Sequence, residues 1–141
     1  MINFFVENNF KWSKPQNKSH QMWLEEVLKS EGFGIGDVNY IFCDDVYLHE
    51  INVNYLNHDD YTDIISFDNS KGNLVEADIF ISTERVGENA KSHEVTFEDE
   101  LKRVMAHGLL HCMNYNDKTE DERKEMRKKE REKIIMFHVE H

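Results

Sequence analysis

The spacing of apolar residues changes period several times along the chain, and each change marks an element. Residues 2–6, INFFV, and 38–43, VNYIFC, are short β-rich runs that predict strands. Between them, HQMWLEEVLKSEG carries apolar residues at 23, 24, 27 and 28 and ends at Gly32, the pattern of an amphipathic helix closed by glycine. Asp44 or Asp45 caps a second helix, in which Leu48, Ile51 and Tyr55 share a face and which ends near Asn57. TDIISF (62–67) and NLVEADIFIS (73–82) flank Asn69, Ser70, Lys71 and Gly72, and so predict an antiparallel hairpin. The earlier strands are joined by helices and are expected to run parallel, which makes the sheet mixed.

Ser82 or Thr83 opens a short helix. Thr96 with Asp99 forms the capping box of a longer one, whose Phe97, Leu101, Val104, Met105 and Gly108 face inward. Thr119 and Glu122 repeat the device ahead of a final helix, polar until Met126 and apolar at Ile134, Ile135 and Phe137, so only its end is expected to be anchored. No repeat or linker interrupts the series. The expectation is one α+β domain over residues 1–141, a mixed sheet of about four strands packed against helices.

Composition narrows the function classes. A chain of 141 residues with 39% hydrophobic content can build one core, and no run approaches the roughly 18 apolar residues of a membrane span. The opening MINFFVENNFKWSK lacks the basic-then-apolar pattern of an export signal, and Cys43 and Cys112 are too few for a disulfide framework. A cytoplasmic, monomeric protein is expected. A net charge of -11 argues against indiscriminate binding to phosphate backbones. The stretch 118–133, KTEDERKEMRKKEREK, instead carries +2, either as a solvated face stitched by opposite charges or as an RNA-contacting patch.

The chemistry concentrates in HGLLHCMNYND, residues 107–117. On a helix His107 and His111 stack on one face, where both imidazoles reach a single ion. The helix has to stop soon afterwards if a third ligand is to swing back, and Asn114, a residue that enters the left-handed conformation readily, occupies the stop. Asp117 then becomes the third ligand and leaves an open position, its competing role being an N-cap of the final helix. Two imidazoles and one carboxylate suit zinc, with nickel, manganese and iron compatible by ligand type. Such a metal stabilises charge on a carbonyl or phosphoryl oxygen, so hydrolysis is the expected reaction. Gly108 stands where the protease pattern H-E-x-x-H carries its general base, which counts against peptide hydrolysis.

HGLLHCMNYND resembles the H-G-x-L-H-x-x-G-Y-x-H motif of the YbeY family of rRNA maturation factors. YTDIISF (61–67) is similar to that family's P-T-D-V-L-S-F strand and ADIFIS (77–82) to its G-D-I-x-I-S strand, while Glu100 and Leu101 match the E-L before the histidines. The resemblance implies a zincin-like fold and a zinc-dependent endoribonuclease acting in maturation of the 3′ end of 16S rRNA and in ribosome quality control. It also implies ribosomal RNA and the small ribosomal subunit as partners. His107 and His111 take the first two ligand positions. Asp117 falls on the third, usually histidine, Asn114 replaces the motif glycine, and Leu56 falls where the family commonly has arginine.

If that arginine holds a phosphate, Arg85, Arg103 or a cation of the final helix is left to replace it. Asp63, Ser66 and Arg103 are the candidates for a catalytic role, with turn and strand duties as the alternative for the first two. Glu100, two helical turns before His107, is either a supporting partner or an exposed acid, with the exposed acid favoured. His20, His49, His58, His93, His138 and His141 have no motif partner. A ribosome-assembly binding factor with a structural metal is the competing function, and a metalloprotease the third.

Overall fold

The computed structural model describes residues 1–58 and 60–140, with side chains up to residue 137. Four strands and five helices follow in the order β1 (Ile2–Val6), α1 (Lys14–Ser30), β2 (Gly34–Cys43), α2 (Asp45–Leu56), β3 (Ile64–Asp68), β4 (Leu74–Ser82), α3 (Thr83–Ser92), α4 (Phe97–Cys112) and α5 (Glu120–Glu140). The sheet order is β1-β2-β4-β3, with β1 and β4 parallel to β2 and β3 antiparallel to β4. This is the α+β arrangement with a mixed four-stranded sheet that the sequence predicts.

Alternation along the strands sends side chains to two different layers. Val38, Tyr40 and Phe42 of β2 and Val75, Ala77, Ile79 and Ile81 of β4 are buried with Trp23, Leu24, Val27 and Leu28 of α1 and Leu101, Val104, Met105 and Leu109 of α4. Each fully buried Leu or Ile contributes about 1.5–3 kcal/mol of apolar transfer free energy. A smaller cluster of Cys43, Leu48 and Ile65, with Ile51, Phe67 and Phe80 against it, fastens α2 to the sheet. In β3, therefore, Ile64 packs with the α4 layer and Ile65 with the α2 layer. Ser66 and Asp68 follow Ile64 at period two, and both line a cleft beside α4.

Three expectations require correction. The first helix begins at Lys14 rather than near His20, because Ser13 and Gln16 form a reciprocal capping box ahead of Pro15. In α2, Tyr55 is 72% exposed and Asn52 is buried instead, its Nδ2 donating to the Asp60 carbonyl oxygen at 2.8 Å and so closing the following loop. The final helix is anchored along its polar middle, where Met126, Glu130 and Lys133 are buried. Lys133 Nζ donates to Glu31 Oε2 at 2.7 Å and Trp23 Nε1 to the Lys133 carbonyl at 2.6 Å. Paired charges can be buried where unpaired ones cannot.

Candidate metal centre

Helix α4 delivers two of the three donors and its terminus delivers the third. Asn114 takes φ 73°, and the amides of Asn114 and Tyr115 donate to the carbonyls of His111 and Leu110, both at 3.1 Å. These two bonds make a Schellman stop, which satisfies carbonyls at the end of α4 and turns the chain back. Asp117 consequently sits beside the helix end. The α5 cap is Thr119, whose Oγ1 accepts from the Glu122 amide at 3.1 Å while Glu122 Oε1 accepts from the Thr119 amide at 2.9 Å. The N-cap role open to Asp117 in the sequence thus belongs to Thr119.

His107 Nε2, His111 Nε2 and Asp117 Oδ2 form a near-equilateral triangle, with edges of 3.0, 3.3 and 3.4 Å. Donors around a tetrahedral zinc-sized ion stand about 3.3 Å apart, since each bond is about 2.0–2.1 Å long. The donor set and its spacing fit a metal, and the group can hold one.

The other nitrogen of His107 is also engaged. Its Nδ1 donates to Glu130 Oε2 at 2.7 Å, which leaves the Nε2 lone pair facing the cluster. Glu130 is held by Arg103, whose Nη1 lies 3.4 Å from Glu130 Oε1, and Arg103 grips Glu100 through Nε at 3.1 Å and Nη2 at 2.8 Å. Asp63 Oδ2 is 3.7 Å from the same guanidinium. Burial works against the charge on Arg103, but hydrogen bonding to Glu100 and the charges of Glu130, Glu100 and Asp63 outweigh it and hold its pKa above the ordinary value.

The side chain of Glu100 is only 2% exposed, which corrects the reading of it as a solvated acid. Its charge is tolerable there because Arg103 pairs with it twice. Glu130 was not among the sequence candidates. Met126, Glu130 and Lys133, spaced four and then three, share the buried stripe of α5, and that spacing is the signal that points to it.

The triangle opens on a cleft of about 520 Å³ lined by Thr62, Asp63, Ile64, Ser66, Asp68 and Cys112 as well as the three donors. Asp63 and Ser66 thus stand at the cleft wall. Arg103 is committed to carboxylates. Arg85 is paired with Asp45 at 2.7 Å and does not line the cleft, and Leu56 lines an adjoining cavity of about 250 Å³ that shares Thr62, Ile64 and Ser66 with the cleft. His20 bonds the Gln16 carbonyl, His49 stacks on Tyr61 and His93 lies 3.6 Å from Glu100, while the side chains of His138 and His141 fall outside the described residues.

Gly108 has a packing reason. A Cβ there would stand 2.7 Å from Ile64 Cδ1 and 3.3 Å from Ile79 Cγ2, so the glycine lets α4 approach β3 and β4.

The chain is similar to known proteins over nearly its whole length. Residues 5–138 match the family model described as Endoribonuclease YbeY. A protein of Christiangramia forsetii named Endoribonuclease YbeY is 56% identical over 139 residues, covering 99% of this chain and 96% of its own. One of Porphyromonas gingivalis bearing the same name is 37% identical over 136 residues, 96% of this chain and 89% of its own. The solution structure of TM1509 from Thermotoga maritima superposes with a TM-score of 0.69 at 27% identity, over 99% of this chain and 91% of that one. With the family model spanning nearly the whole sequence, this chain belongs to the YbeY family.

Proposed function

We propose that this chain is a metal-dependent endoribonuclease that cleaves ribosomal RNA during small-subunit maturation and ribosome quality control. Residues 1–141 act as one cytoplasmic, monomeric domain in this reading. His107, His111 and Asp117 hold one zinc ion, Glu130 and Arg103 orient His107, and Asp63 and Ser66 border the RNA. When bound, zinc supplies Lewis acidity toward a phosphoryl oxygen and acidifies water. The relatives' shared name supports the activity, and the observation that carries the site is the triangle of donors with His107 Nδ1 locked on Glu130. No helix among the described residues is long and apolar enough to cross a membrane.

The test is cleavage of precursor 16S rRNA within assembling small subunits by zinc-loaded protein freed of contaminating nuclease. Internal cleavage near the mature 3′ end, lost in His111→Ala, is expected. Binding of the subunit with no cleavage by the wild type would overturn the enzyme reading and favour the assembly-factor alternative.

A further inference from the structure

The cleft that faces the three donors is acidic. Among the described residues, Asp63, Asp68 and Asp117 line it and no lysine or arginine does, so a phosphate entering there meets none of those side-chain cations. A second depression of about 190 Å³ shares the His107 and Asp117 edge of the cluster, on the side of α5, and is lined by Arg103, Arg123, Arg127 and Glu130. We propose that Arg123 and Arg127 form a subsite for a phosphate group of the RNA strand, beside the metal cluster on its α5 side. The proposal rests on the nuclease reading and adds to it the residues that engage the backbone.

Pairing separates these two arginines from Lys124, Lys129 and Lys133 of α5, and position separates them from Lys128 and Arg131, which do not line the depression. Lys124 faces Glu120 at 3.6 Å, Lys129 faces Glu31 and Glu132 at 3.2 and 3.5 Å, and Lys133 faces Glu31 at 2.7 Å. Arg103 is spent on Glu100 and Glu130. Arg127 makes no ion pair among the described residues and is exposed. Arg123 is steadied by a bond from Nη1 to the Lys118 carbonyl at 2.8 Å, which restrains the side chain without neutralising it.

The two lie one helical turn apart on the face that carries Met126 and Glu130 toward α4, where like charges repel until an anion stands between them. Guanidinium groups suit that anion, because their planar donors match phosphate oxygens in pairs. The carboxylates nearby do not cancel the effect. Glu130 is taken up by His107 and Arg103, and Asp117 faces the two imidazoles. A phosphate held by the arginines borders the same His107 and Asp117 that face the cleft, so the next linkage of the strand is led into it. In a chain of net charge -11, this local pair offsets a general repulsion of RNA.

The test measures binding apart from turnover. A short fluorescein-labelled single-stranded RNA is titrated with zinc-loaded protein and followed by anisotropy across a salt series. R123Q/R127Q is expected to raise Kd about tenfold and to flatten the slope of log Kd against log salt by about 1.4, about 0.7 on a single strand per phosphate-contacting cation removed. Its zinc content and circular dichroism should match the wild type, and R127Q alone should show about half the change in slope. K128Q/R131Q, which alters two cations that do not line the depression, is expected to change Kd less than about twofold.

Equal losses in the two double variants, or a wild-type Kd and slope in R123Q/R127Q, would overturn the subsite. Arginine-dependent binding by a wild type that never cleaves precursor rRNA would overturn the nuclease reading and keep the subsite. Cleavage by the wild type with unimpaired binding by R123Q/R127Q would do the reverse.

Discussion

Glu130 Oε2 lies 2.7 Å from His107 Nδ1, joining residues 23 positions apart on α5 and α4, and the Glu130 side chain is 4% exposed. A metal-binding imidazole gains both its tautomer and its ring orientation from such a partner. Glu130→Ala is therefore expected to weaken zinc binding about 10–100-fold, because His107 loses its anchor and Arg103 loses a carboxylate. Glu130→Gln, which keeps an acceptor oxygen and drops the charge, should fall between. Competition against a chromophoric chelator measures both, and wild-type affinity in Glu130→Ala would sink the positioning role.

Asp117 and Asn114 give a linked pair of outcomes. Asp117→Ala should lose metal occupancy while metal-free stability changes little, since Thr119 and not Asp117 caps α5. Asp117→His should regain the metal, imidazole being as good a zinc ligand as carboxylate. Asn114→Gly should be tolerated at φ 73°, whereas Asn114→Val should cost about 1–2 kcal/mol and displace Asp117. Elemental analysis beside urea unfolding separates the effects; full occupancy in Asp117→Ala would reject the three-donor site.

Glu31 makes stability depend on acid. Burial raises its pKa, but hydrogen bonds from Lys133, Tyr115 and Lys129 and the charge of Lys133 outweigh that and hold it at about 2, below its ordinary 4.5. A carboxyl depressed in the folded state adds stability above its unfolded pKa and loses it as pH falls through the folded one. The contribution, on the order of 3 kcal/mol, should be complete above about pH 4.5 and vanish toward pH 2. The difference in unfolding free energy between metal-free wild type and Glu31→Gln should shrink across that window. A difference independent of pH would remove Glu31 as the cause.

Two glycines should respond differently to a methyl group. At Gly36, beside the register shift between β2 and β4, a Cβ would press on Glu76 Cγ and stand 2.6 Å from the Val75 carbonyl oxygen, which the strand cannot withdraw. Gly36→Ala is expected to cost about 1–3 kcal/mol. At Gly108 the nearest atom is the mobile end of Ile64, and alanine gains about 1 kcal/mol of helix propensity, so Gly108→Ala should stay within about 1 kcal/mol of the wild type. Urea midpoints at constant slope compare the two, and equal costs would contradict the packing argument.

The sequence by itself determined the order of the elements and the approach of His107, His111 and Asp117 to one another, because the signals involved are local. Period-two runs mark β3 and β4, four-residue spacing puts His107 and His111 on one face, and a residue suited to positive φ at 114 ends α4 within reach of Asp117. Tertiary structure decided everything that depends on how α4 and α5 cross. A glutamate 23 residues from His107 becomes its partner only when the helices pack, and Glu100 and Glu130 tolerate burial because Arg103 reaches both and His107 donates to Glu130. The same packing chose among the cations of α5, which look alike in sequence. Lys129 and Lys133 turn inward onto Glu31, while Arg123 and Arg127 border His107 and Asp117, since a side chain's partners follow from helix rotation and crossing rather than from its own charge.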